Sequence, residues 1–131
     1  MRMPRSSSRL AFGAGAALLV ASTLALATPD EAAQREIDHL LEFVATSNCT
    51  FVRNGESFPG KDARAHLETK YNFTKWRLST ADEFVKYLAT ESSTSHEPYT
   101  VICNQKEQPA GVWLAEELKR YRKVAQTTTP R

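Results

Sequence analysis

Cys49-Thr50-Phe51-Val52-Arg53-Asn54-Gly55-Glu56-Ser57-Phe58-Pro59-Gly60 holds the strongest short-range structural signal in the chain. Asn54-Gly55 suits a type I′ turn, in which both central residues take φ > 0. Pro59-Gly60 then ends the second strand. These residues predict a β-hairpin, and the rest of the chain is read outward from it.

Upstream, Ile37, Leu40, Leu41 and Val44 recur at i, i+3, i+4 and i+7, which predicts a helix over about 31–47 with one apolar stripe. Downstream, a second helix is expected over about 61–71, with Ala63, Leu67 and Tyr71 on one face. Residues 72–78 read as a connection whose Phe73 and Trp76 pack onto the core. Thr80 followed by Glu83 is a capping box opening a third helix to about residue 90, with Phe84, Val85 and Leu88 inward. The Ser/Thr-rich residues 92–95 are a loop. Pro98 sets the chain extended, and residues 99–103 form a strand. After a polar turn, Pro109 opens a last helix with Trp113, Leu114, Leu118 and Tyr121 on its inner face.

The expected fold is therefore α+β: a small three-stranded antiparallel sheet, hairpin plus late strand, packed with about four helices. No internal repeat is evident, and there is no room for a second domain. The single domain is expected over 28–131, frayed at 28–33 and 126–131.

Residues 1–27 read as a signal peptide rather than as part of that fold. Arg2, Arg5 and Arg9 make a positive start, and residues 10–24 are apolar or small. That run is shorter than the ~20 residues of a bilayer span. Ala25-Leu26-Ala27 supplies a small-x-small cleavage pattern, so cleavage is placed after Ala27 and the mature protein is expected to be exported. No membrane span is expected after cleavage.

The whole chain has a formal charge of +2, but three of its 17 basic residues lie in the leader, leaving 14 against 15 acidic ones. The basic excess vanishes, and with it the case for nucleic acid. The local cluster Lys119, Arg120, Arg122 and Lys123 falls at a helix end, where cations complement the dipole.

Cys49 and Cys103 are the two cysteines. After export, an isolated pair of this kind most often forms a disulfide. The first enters the first strand and the second leaves the last, so antiparallel pairing of those strands sets them side by side. The competing reading is a reactive thiol served by His66 or His96.

Four ordered motifs carry a resemblance. They are Phe51-Val52-Arg53-Asn54-Gly55; Ala65-His66-Leu67 with Lys70-Tyr71; Thr80-Ala81 with Phe84; and Ser92-Ser93, Ser95, Pro98-Tyr99 and Val101. Together they resemble the domain-of-unknown-function 5329 family, small exported bacterial proteins, over about residues 36–121. The resemblance implies a Gram-negative periplasmic protein and implies no activity. The family pattern has Gly where His96 stands in this chain.

The best polar constellation is Arg53, His66 and Lys70. His66 and Lys70 are four apart and share a helix face, and Arg53 adjoins the turn. Together they suit a carboxylate or phosphate, with Ser92, Ser93 and Ser95 as further donors from the loop. The structural alternative is that Arg53 and His66 tie hairpin to helix. No catalytic set is singled out. The nucleophile elbow of hydrolases is absent, and no spacing selects two of Asp62, Glu68, Asp82 and Glu83. No metal-ligand or cofactor motif occurs.

The reading is a non-enzymatic binding module for an envelope protein, a peptide or an anionic cell-wall fragment. The alternative is an inhibitor or immunity-type protein against a wall-degrading enzyme, and the least favoured is a small hydrolase acting through Ser93 or His66.

Overall fold

The computed structural model describes residues 2–4, 13–19 and 28–128. The expected cleavage site, residues 25–27, and two of the three leader arginines, Arg5 and Arg9, lie outside the described residues. The elements are α1 (Glu31–Thr46), β1 (Thr50–Arg53), β2 (Glu56–Pro59), α2 (Gly60–Thr74), a 3₁₀ turn (Lys75–Arg77), α3 (Ala81–Leu88), β3 (Thr100–Cys103), β4 (Lys106–Pro109) and α4 (Ala110–Thr128). No helix among the described residues is long and apolar enough to cross a membrane.

Two of the helix starts are capped by a side chain. Asp30 caps α1 by accepting from the Ala33 amide at 2.8 Å. Ala33 is buried, so the lead-in ends at Asp30 rather than at residue 33. Thr80 caps α3 by accepting from the Glu83 amide at 3.1 Å, while Glu83 accepts from the Ser79 amide at 2.8 Å. The capping box read from the sequence is thus formed, shifted by one residue on its return bond. α4 runs on to Thr128, where a frayed tail from residue 126 was expected.

The sheet has four strands, ordered β2-β1-β3-β4 and antiparallel throughout, where three were expected. The extra strand is β4. Its turn, Asn104-Gln105, takes φ of 50° and 65° without any glycine, so the usual signal for a tight hairpin is missing. Its residues Lys106, Glu107 and Gln108 sit on a sheet edge and are mostly exposed, so no apolar alternation marks them.

The fourth strand reveals an internal repeat that the sequence hides. The first hairpin pairs Thr50 with Pro59 and Arg53 with Glu56; the second pairs Thr100 with Pro109 and Cys103 with Lys106. Each runs directly into a helix, α2 or α4. Phe51 faces Val101 across the central β1–β3 pair, so the two hairpins meet in a two-fold register. Few residues are shared by the two copies, chiefly Thr50 and Thr100, Asn54 and Asn104, Pro59 and Pro109.

The helices cover one face of the sheet. Ile37, Leu40 and Val44 of α1, Phe84 of α3, Val101 of β3 and Leu114 of α4 are the largest fully buried side chains. Each contributes about 1.5–3 kcal/mol through burial. Phe73 and Trp76 do not join them. They are 77% and 53% exposed, because the α2 helix continues to Thr74 and turns both rings outward.

Cys49 and Cys103 form a disulfide with a Cα–Cα distance of 4.7 Å. The competing reading of a reactive thiol is thereby set aside: there is no free cysteine. Closing a loop of 54 residues stabilises the fold by about 4 kcal/mol in the chain-entropy model.

Candidate ligand-binding site

The first hairpin and α2 build the site, and Gly60 sets the angle between them. A side chain at Gly60 would bring its Cβ to 2.3 Å from the Val44 carbonyl oxygen. Only glycine lets α2 start so close to the end of α1. The hairpin tip is held from the other side. Asn54 takes φ of 50° and Gly55 of 78°, as the turn requires. The Asn54 amide donates to Ser92 Oγ at 3.3 Å, and the Ser95 hydroxyl donates to Asn54 Oδ1. Ser92 is only 2% exposed, and its hydroxyl also accepts from the Thr94 and Ser95 amides. The 92–95 loop is thus fastened to the turn next to Arg53.

Four polar side chains then meet. Arg53 Nη1 lies 3.0 Å from His66 Nδ1 and 3.2 Å from Nε2. His66 Nε2 lies 3.4 Å from the Tyr99 hydroxyl. Lys70 Nζ donates to that hydroxyl at 3.3 Å and to the Leu88 carbonyl at 2.8 Å, capping the end of α3. A neutral imidazole satisfies this set, since it has one nitrogen to accept from Arg53. The Tyr99 hydroxyl, accepting from Lys70, retains its own proton to donate.

The electrostatics agree with the bonding. Partial burial lowers the His66 pKa, and the charges of Arg53 and Lys70 lower it further. Lys70 is also lowered, first by burial and then by Arg53, with Glu91 opposing. Burial raises the Tyr99 pKa. Two cations and a neutral imidazole therefore share one recess. Arg53 makes no ion pair among the described residues, whereas Arg64 and Arg122 each pair with two carboxylates.

Behind this cluster lies a cavity of about 280 Å³. Its depth is apolar, formed by Val44, Phe51, Leu67, Ala89 and Leu114, and its polar lining is Arg53, Asp62, His66 and Tyr99. An apolar pocket with a few convergent polar groups is the usual form of a small-molecule site.

Of the residues singled out in the sequence, the structure joins Arg53 directly to His66, and Lys70 to His66 through Tyr99. Ser92 and Ser95 serve the loop and the turn, and Ser93 is exposed beside them. His96 contacts Glu91 at 3.3 Å, and His66 contacts Arg53 and Tyr99, so neither histidine is paired with Ser93. Sequence reasoning missed Tyr99, which it read only as the start of a strand. The register carries the missing signal: one step beyond Val52↔Thr100, Tyr99 lies opposite Arg53. It also left Asp62 unassigned among four carboxylates.

The site falls within the stretch that carries the family likeness. A family model described as "Family of unknown function (DUF5329)" matches residues 31–122. The chain belongs to this family. The matched stretch begins with α1, takes in both hairpins and ends within α4. The protein described as "Uncharacterized protein YfeK" of Salmonella typhimurium strain LT2 is 40% identical over 50 residues, which span 38% of this chain. The match spans 42% of that relative's length, less than half of it. No solved structure matches the chain.

Proposed function

We propose that this DUF5329 protein is a non-enzymatic binding module of the bacterial periplasm whose site is the Arg53–His66–Tyr99 cavity. Its ligand is anionic at one end and apolar at the other, of the kind offered by a peptide terminus or a cell-wall fragment. The observation that carries this reading is a half-buried guanidinium, free of any carboxylate partner among the described residues, on the wall of an apolar cavity. A half-buried cation with no carboxylate in ion-pair contact is poorly compensated. A ligand carboxylate would accept from Arg53 and from the Tyr99 hydroxyl, while its apolar part displaced water from the cavity. The disulfide is compatible with an oxidising compartment.

The test is calorimetric titration with 4-methylpentanoate, a carboxylate on a small branched chain. Saturable binding is expected, weakened about 10- to 100-fold in Arg53→Ala, as for loss of a charge-assisted hydrogen bond. Equal binding by wild type and Arg53→Ala would defeat the assignment.

A further inference from the structure

Building on that carboxylate reading, we infer that the cavity recognises a free apolar α-amino acid, with Asp62 taking the ammonium group. Asp62 and Arg53 line the same cavity, and neither takes part in an ion pair among the described residues. Opposite charges that share a small cavity without pairing leave a gap, and a zwitterion is the ligand shape that fills such a gap. Asp62 and His66 are four apart on α2, so they stand on one helix face about 6 Å apart along the axis. Arg53 is bonded to the His66 end of that face, which places the cation one helical turn from the carboxylate.

The rest of the cavity narrows the ligand further. Away from Arg53, Asp62, His66 and Tyr99 its lining residues are apolar, so no side chain there can receive a sugar hydroxyl or a peptide amide. At about 280 Å³ the space falls just below the roughly 300–1,000 Å³ typical of sites for drug-sized ligands. That suits one aliphatic or aromatic side chain. The Tyr99 hydroxyl and Arg53 then serve the ligand carboxylate, Asp62 its ammonium, and Val44, Leu67 and Leu114 its side chain. Asp62 also sits in the first turn of α2, where any carboxylate complements the helix dipole. That role accounts for its charge and not for its place on the cavity wall.

Three ligands of one shape separate the possibilities: leucine, 4-methylpentanoate, which lacks the amine, and 3-methylbutylamine, which lacks the carboxylate. Binding is measured by calorimetry on the disulfide-bonded protein at neutral pH. Leucine is expected to bind at least about fivefold more tightly than 4-methylpentanoate. Asp62→Asn is expected to remove that advantage, read as the ratio of the two affinities within the variant, and Asp62→Glu to restore part of it. Asp62 is exposed, so both variants should fold, which circular dichroism checks. If 4-methylpentanoate binds as tightly as leucine, the amino-acid inference fails and the carboxylate reading stands. If the amine alone binds as tightly as leucine, or if none of the three binds, both fail.

Discussion

Arg53 and Cys103 hold the same position in the two hairpins, each the last residue of its strand before the Asn-led turn. Their surroundings differ in one decisive way. Cys103 is joined covalently across the central pair to Cys49. Arg53, at the opposite end of that pair, has Tyr99 across from it and a cavity beside it. One end of the repeat is closed by a staple and the other is left open as a polar mouth. The division follows from side-chain chemistry alone, since the backbone registers are the same.

The staple's contribution can be measured directly. Denatured, non-reduced protein should show no thiol by colorimetric titration. The double variant Cys49→Ser, Cys103→Ser should lose about 4 kcal/mol in urea unfolding, as the loop-entropy model gives. Two titratable thiols in the wild type, or a loss below about 1 kcal/mol, would contradict the account.

His66 should titrate below the ordinary histidine value of roughly 6.5. The groups around it are Arg53 on β1, Lys70 and Asp62 on α2 and Tyr99 before β3, with Glu91 beyond α3 acting on Lys70. A folded pKa below the unfolded one means that the unfolded chain binds the proton more readily. Its stabilising contribution is present above the unfolded pKa and is lost as pH falls through the folded one. NMR titration of the imidazole protons should report the lowered pKa, and Arg53→Ala should raise it. An unchanged pKa in Arg53→Ala would contradict the contact.

Core and surface aromatics should separate cleanly. Phe84 is fully buried, so Phe84→Ala should cost about 3–5 kcal/mol in urea unfolding. Trp76 is half exposed, lies under the Arg77 guanidinium and donates to the Phe73 carbonyl at the surface, so Trp76→Ala should cost less than about 1 kcal/mol. A reversed order would restore the expectation that Trp76 belongs to the core.

His96 takes φ of 61°, in the left-handed region. A residue other than glycine pays roughly 1–2 kcal/mol there. His96→Gly is therefore expected to stabilise the protein by up to about 1 kcal/mol, despite losing the exposed contact to Glu91. A lower melting temperature in His96→Gly would show that the contact matters more.

How much of this was legible depended on where each signal was stored. The first hairpin, the apolar stripe of α1 and the Thr80 cap are local signals, and all three stand in the structure. The disulfide was legible because two strand ends and two cysteines agreed. β4 was not, since an exposed edge strand closed by Asn104-Gln105 carries neither apolar alternation nor glycine. For the site, Arg53, His66 and Lys70 could be placed together by helix spacing and turn position. Tyr99 and Asp62 could not, because their roles depend on strand register and on a cavity formed by residues far apart in sequence. Arg122 is a similar case. Read as a helix-end cation, it in fact forks between Glu36 at 2.5 Å and Asp82 at 2.6 Å, tying α4 to α1 and α3.

The most direct test of the binding site is methyl-resolved NMR during titration with 4-methylpentanoate. The account predicts saturable shifts at the Val44, Leu67 and Leu114 methyls, with the His66 imidazole shifting in parallel. Shifts confined to surface methyls such as Val112 and Val124, or no saturable shift at all, would contradict it.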